Sequence, residues 1–310
     1  MEKRNLIDGM IGFSNIVLGC DHFGETLKEE EVKTLLDYYY NSGGNVFDTA
    51  ASYSMVEEGS QSEKILGSWI KEKKLKNKTI IITKGGRDLD SNPELYKRNV
   101  IRDFEKSFKQ LGFYPDIWFL HRDNPYLEVK TIAKIVTSVL KDTGVVLGLS
   151  NWTGKRIREY MSLENVIPVK ISEIQYSLAT TTSKKWGDSG LVIMNEEEKE
   201  FYKKSKIPVI CYSSQGKGYY SKIASSLPLR EKAKIRFDSS ENRSKLKSVL
   251  GLMEKYSISA SAVVTSYIYS QKGINCLPIV GAGKLEQLEQ TLKNSSFLLS
   301  QKELDFLEKN

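Results

Sequence analysis

Short apolar runs separated by longer amphipathic stretches recur along the chain, and eight of them can be counted: Asn15 to Gly19, Asn45 to Asp48, Thr79 to Lys84, Asp116 to His121, Val145 to Ser150, Ile171 to Gln175, Pro208 to Ser213 and Cys276 to Gly281. Most are rich in β-branched residues, as buried parallel strands are. The stretches between them read as helices. In EEEVKTLLDYYYNSGG, Val32, Leu35, Leu36 and Tyr39 share one face and Gly43 supplies a stop; in SQSEKILGSWIKEKK a serine stands near the N-cap and Ile65, Leu66 and Ile70 point inward. No Pro-, Gly- or Ser-rich linker interrupts this alternation, and each unit averages about 40 residues. The expected fold is therefore α/β: one (β/α)8 TIM barrel over residues 1–310 with long loops at the C-terminal face; an N-terminal β-hairpin is expected beside it. The segments after Gln175 and after Tyr212 are too long for plain βα loops and are expected to bind or cover ligand.

Composition narrows the class of function. A chain of 310 residues with 40% hydrophobic content can bury a large core. No stretch reaches the roughly 18 to 20 apolar residues that span a bilayer, and MEKRNLIDGM is not followed by an apolar leader segment, so a cytoplasmic protein with no membrane partner is expected. Cys20, Cys211 and Cys276 are too few and too scattered for a disulfide framework or a zinc site, and no metal is expected. The net charge of +7 is spread through mixed runs such as EKKLKNK, which are solvated helix faces rather than a nucleic-acid surface. No nucleic-acid partner is expected.

In a parallel barrel the C-terminal strand ends converge on one mouth. Asp48, Lys84, His121, Ser150 with Asn151, and Gln175 fall at such ends, and Tyr53 follows Asp48 by five residues. The bland readings are a helix-capping Asp, a snorkelling Lys and a hydrogen-bonded core His. Together, however, Asp48, Tyr53, Lys84 and His121 make a proton-delivery group. A free tyrosine, with a pKa near about 10, is a weak acid at neutral pH. An adjacent ammonium favours the phenolate, a carboxylate holds that ammonium charged, and an imidazole can bond a substrate oxygen.

The blocks GGNVFDTAASY, GSQSEKILG, IIITK and YPDIWFLHRDNP, in this order, resemble the aldo-keto reductases, and the resemblance runs over essentially the whole chain. It implies hydride transfer between NADPH, or NADH, and a small-molecule aldehyde or ketone, sugar-derived carbonyls included, with Asp48, Tyr53, Lys84 and His121 as the catalytic tetrad. It also implies a cofactor site without a Rossmann fingerprint. Gly19, Cys20, Asp48, Ser150, Asn151 and Gln175 would flank the nicotinamide, and Tyr212 in CYSSQGKG would stack on it. Ser213, Ser214, Gln215 and Gly216 would meet the pyrophosphate; Ile279, Gly281, Gly283, Lys284, Gln287 and Thr291 would meet the adenosine end. Gly283 and Gln287 stand where the family often has an arginine for the 2′-phosphate, which leaves Lys284 as the available cation. His22, Tyr53, His121 and Trp152 are expected to face substrate. Two other readings stay open: a cofactor-binding regulatory subunit similar to potassium-channel β-subunits, and a Schiff-base aldolase using Lys84.

Overall fold

Alternation of side chains along the strands builds the interior before any loop is considered. In the computed structural model, which describes residues 1–56 and 59–309, eight parallel strands close into a barrel in sequence order. They are β1 (Val17–Gly19), β2 (Val46–Asp48), β3 (Ile80–Gly85), β4 (Ile117–Leu120), β5 (Val146–Ser150), β6 (Val169–Gln175), β7 (Val209–Tyr212) and β8 (Cys276–Val280). Each of the eight runs read from the sequence is one of these strands.

Val46, Ile80, Ile82, Ile117, Phe119, Ile171, Ile210, Leu277 and Ile279 point inward and pack into one cluster, while Phe47, Ile81, Trp118 and Ile174 point outward into the helical layer. The next inward position above these apolar residues is Asp48 on β2, Lys84 on β3, His121 just past β4 and Glu173 on β6. The barrel is thus a packed hydrocarbon floor with ionisable groups on top. The expected N-terminal hairpin pairs Lys3–Arg4 with Phe13–Ser14, and Ile7 and Phe13 join the inner cluster from below.

The helices follow the patterns that predict them. Glu29–Asn41 buries Val32, Leu35, Leu36 and Tyr39, and the Lys28 N–H donates to the Glu31 carboxylate at 2.8 Å to close its first turn. Gln61–Glu72 is capped by Ser60, whose Oγ accepts from the Glu63 N–H. Its Gly67 is obligatory, because a Cβ there would sit 2.3 Å from the Leu111 carbonyl of the neighbouring helix Pro93–Leu111. The segment after Tyr212, read from sequence as a loop, instead folds into helices Tyr219–Ala224 and Glu231–Phe237. Tyr219, Tyr220, Ala233 and Phe237 are buried there, so tertiary packing supplies what a weakly periodic sequence did not announce. Asn242 ties this segment to the loop after β6: its amide donates to the Thr180 carbonyl and its oxygen accepts from the Thr180 N–H, both at 2.8 Å. Among the described residues no helix is long and apolar enough to cross a membrane.

Candidate active site

The floor of the mouth is organised around one buried cation. Lys84 Nζ lies 2.7 Å from both carboxylate oxygens of Asp48, 3.1 Å from the Thr49 carbonyl and 3.4 Å from the Tyr53 hydroxyl, with no side-chain exposure. Its ammonium also lies 5.1 Å from the centre of the Tyr53 ring, which meets the His121 ring edge-on at 6.0 Å. The structure therefore brings Asp48, Tyr53, Lys84 and His121 into one cluster.

Burial disfavours the Lys84 ammonium, but Asp48, Glu173 and Tyr53 together hold its pKa well above the ordinary lysine value. Burial likewise pushes the Asp48 carboxyl up while Lys84 pulls it down; the bidentate 2.7 Å contact makes the charged pair the resting state. An ammonium so held cannot attack a carbonyl, which weighs against the aldolase reading. The phenol departs from the expectation drawn from Lys84 alone: Tyr53 titrates above, not below, its usual range, because burial outweighs the pull of Lys84 and Asp48, Glu173 and Asp21 push the same way. At neutral pH Tyr53 keeps its proton, as a proton donor must. His121 is shifted far down by burial and by the nearby positive charges of Lys84, Arg122 and Arg87, so its ring is neutral; Nδ1 has no hydrogen-bond partner among the described residues.

Around this floor, Asn151 adopts a left-handed backbone, φ 59°. Asparagine tolerates this conformation, and it aims the amide at the β7 end, where the Tyr212 hydroxyl donates to Asn151 Oδ1 at 2.7 Å. Ser150 Oγ accepts from the Asn151 amide at 3.1 Å. Gly19 tops β1 where a Cβ would come within 2.7 Å of Ile279 Cγ2. The loop after β7 meets the β8 end: Ser214 Oγ donates to the Ile279 carbonyl at 2.6 Å and the Gln215 amide to Thr291 at 3.2 Å. Ser213, Gly216, Lys217 and Gly218 in this loop all carry positive φ. Gln287 is folded back onto the Gly283 N–H at 2.9 Å, leaving Lys284 exposed at the start of helix Leu285–Leu292. His22 is a half-buried residue 3.6 Å from Asp21, which in turn meets Lys217 at 3.8 Å.

Three side chains are placed otherwise than expected. Trp152 has no exposed surface and packs between Tyr160 and Arg156 in the helical layer, so it is a packing residue and not a wall of the mouth. Cys20 is fully enclosed, with its thiol toward the Leu18 carbonyl and its own N–H and carbonyl bonded to the Asp48 carbonyl and the Ser62 hydroxyl. Gln175 spends its amide on Ser177 at 2.9 Å, at the rim. The side chain that β6 does bring to the cluster is Glu173, whose Oε2 lies 3.4 Å from Lys84 Nζ. Strict alternation through Ile171, Glu173 and Gln175 was the signal that could have found it. Trp186 stands at the mouth, its ring edge-on to Tyr212 at 6.3 Å and covered by the Arg236 guanidinium at 4.0 Å. All three cysteines are buried free thiols, and no described group of three or more His, Cys, Asp or Glu could hold a metal ion.

A nicotinamide cofactor fits this mouth: His121 and Glu173 carry orphaned buried polar atoms, the Tyr212 ring gives an aromatic surface, and a positive-φ backbone run is tied through Ser214 and Gln215 to β8 and to the helix that follows the exposed Lys284. The aldo/keto reductase family model matches residues 15–309. Among similar proteins of Schizosaccharomyces pombe, one named "Putative aryl-alcohol dehydrogenase C977.14c" is 24% identical over 95% of this chain and 91% of its own. A second with the same description, C750.01, is 22% identical over 91% and 92%. A solved structure of a thermostable aldo-keto reductase with the inhibitor epalrestat superimposes with a TM-score of 0.74 at 19% identity, covering 100% of this chain and 99% of the other.

Proposed function

Since the chain belongs to the aldo/keto reductase family, oxidoreductases on a TIM barrel, we propose that it transfers a hydride between NADPH and an aldehyde or ketone, with Tyr53 as general acid. The observation that carries this reading is the fully buried Lys84 ammonium set between Asp48 at 2.7 Å and the Tyr53 hydroxyl at 3.4 Å. The cofactor supplies the hydride when bound. Ser150, Asn151 and Tyr212 would hold its nicotinamide end, and Ser213 to Gly216, Gly281, Gly283, Lys284 and Thr291 its phosphates. Tyr53 gives its proton to the carbonyl oxygen as negative charge develops there; Lys84 stabilises the phenolate left behind, Asp48 keeps Lys84 charged, and neutral His121 orients the oxygen. In oxidation each role runs in reverse.

Aromatic aldehydes are the proposed substrate class. Trp186 and Tyr212 form an aromatic wall at the mouth, and the relatives carry the name "Putative aryl-alcohol dehydrogenase". NADPH is the proposed cofactor because Lys284 is the exposed cation at the adenosine end; NADH is the competitor. The test is a benzaldehyde-type panel with both cofactors on wild type and Tyr53→Phe. The expected result is a loss of about 10² to 10⁴-fold in kcat for the variant, with the cofactor Kd unchanged. A variant that keeps most of its turnover removes Tyr53 from the role, and higher kcat/KM with NADH removes the cofactor assignment.

A further inference from the structure

One cation at the bottom of the mouth faces two carboxyl groups. Asp48 takes it, with both oxygens at 2.7 Å from Lys84 Nζ. Glu173, only 3% exposed, is left with Oε2 at 3.4 Å, inside ion-pair range but outside hydrogen-bond geometry, and with Oε1 reached by the Ser150 hydroxyl at 3.5 Å. A buried carboxylate without a cation of its own is costly, and two cannot both be offset by a single ammonium.

We propose that Glu173 is a second, protonatable carboxyl of the Lys84 centre that sets which redox form of the nicotinamide cofactor the site prefers. Protonated, it leaves the centre uncharged and suits the neutral reduced ring. Ionised, it gives the centre a net negative charge that favours the cationic oxidised ring, and so the direction of alcohol oxidation. This inference rests on the nicotinamide reading above.

Burial, and then the charge of Asp48, push the Glu173 carboxyl up to about 8, against the pull of Lys84 and Arg122. The groups that face it do not titrate in the same window. Lys84, Tyr53 and Tyr212 are shifted up, as is the Cys211 thiol on β7; His121 is shifted far down. Asp48 is locked to Lys84, and the Arg122 guanidinium is paired with Asp188 at 3.2 Å. Among the groups that face the Lys84 centre, the ionisation between about pH 6.5 and 9 therefore belongs to the Asp48–Glu173 pair and is expressed at Glu173.

The experiment measures Kd for NADPH by nicotinamide fluorescence and for NADP⁺ by competition, from about pH 6.5 to 9, on wild type and Glu173→Gln. Titration of the 2′-phosphate affects both forms alike and cancels in their ratio. The expected ratio Kd(NADP⁺)/Kd(NADPH) falls about tenfold with rising pH in wild type and stays within about twofold in Glu173→Gln. A flat ratio in wild type, or an unchanged pH dependence in Glu173→Gln, overturns the inference while leaving the nicotinamide reading intact. Failure of wild type to bind either dinucleotide overturns both. Should Glu173→Gln not fold, Glu173→Asp keeps the carboxyl but withdraws it from Lys84; the pH dependence is then expected with a displaced midpoint, and an undisplaced one overturns the inference.

Discussion

Replacing Lys84 with methionine tests the electrostatic account of the mouth, because it removes the charge and keeps much of the volume. In wild type the ammonium offsets Asp48, which is 3% exposed. Without it Asp48 is a buried carboxylate with no cation, a defect worth about 3 to 5 kcal/mol near neutral pH. For 310 residues, an unfolding entropy of about 2.1 cal/mol/K per residue makes 1 kcal/mol equal to roughly 1.5 °C in Tm. The expected loss is therefore about 5 to 8 °C.

The pH dependence follows from the sign of the shift. With Lys84 gone, burial and then the charge of Asp21 act on Asp48 against only its hydrogen bond with Glu173, and its folded pKa rises above the unfolded value of about 3.9. A carboxyl raised in the folded state is unpenalised below its unfolded pKa, and the cost grows by about 1.36 kcal/mol per pH unit up to its folded pKa. Glu173, already pushed up to about 8 and now without Lys84 to lower it, stays protonated throughout. Moving from about pH 7.5 to 5.5 should then return up to about 2.7 kcal/mol, or as much as roughly 4 °C of the deficit relative to wild type at the same pH. Lys84→Met with Asp48→Asn should recover most of the stability at both pH values, since it removes the pair and leaves no uncompensated charge. Differential scanning fluorimetry of wild type, the single and the double variant reads all of this. A deficit in Lys84→Met that is equal at the two pH values, or a double variant no more stable than the single, would refute the assignment of the destabilisation to Asp48.

Glu63 is buried behind β3, where the Thr83 hydroxyl donates to its Oε1 at 2.6 Å, and burial pushes its carboxyl up to about 7. Its cost accumulates as pH rises from the unfolded value of about 4.3 to about 7, so Glu63→Gln, which still accepts from Thr83, should gain about 3 kcal/mol more relative to wild type at pH 8 than at pH 5. An equal Tm difference at both pH values contradicts it. For the two tryptophans opposite outcomes are expected. Trp186→Ala should raise KM for aromatic aldehydes roughly tenfold with Tm within about 2 °C, whereas Trp152→Ala, opening a cavity in the helical layer, should cost about 3 to 5 kcal/mol and leave KM of the folded enzyme unchanged. An unchanged KM in Trp186→Ala removes that ring from the substrate wall.

The barrel was legible because its strands are continuous apolar runs, buried on both faces, and each stands out against the charged helices between them. The gathering of Asp48, Lys84 and His121 was legible for a related reason: polar residues ending such runs have one place to go. What stayed hidden lay where a residue's face, and not its position along the strand, decides its role. Trp152 follows Ser150 and Asn151 in GLSNW and reads as a mouth residue by proximity, yet the left-handed turn at Asn151 sends it back into the helical layer. On β6, attention to the strand end selects Gln175, but the ionisable layer lies one inward position deeper, level with Ser150 on β5 and Ile210 on β7. Counting inward positions upward from the apolar floor places Ile82 below Lys84, Phe119 below His121 and Ile171 below Glu173 by one rule. By that rule a glutamate inside ISEIQ belongs to the Lys84 centre, and the chemistry of the mouth has to be written for two carboxyls and one ammonium.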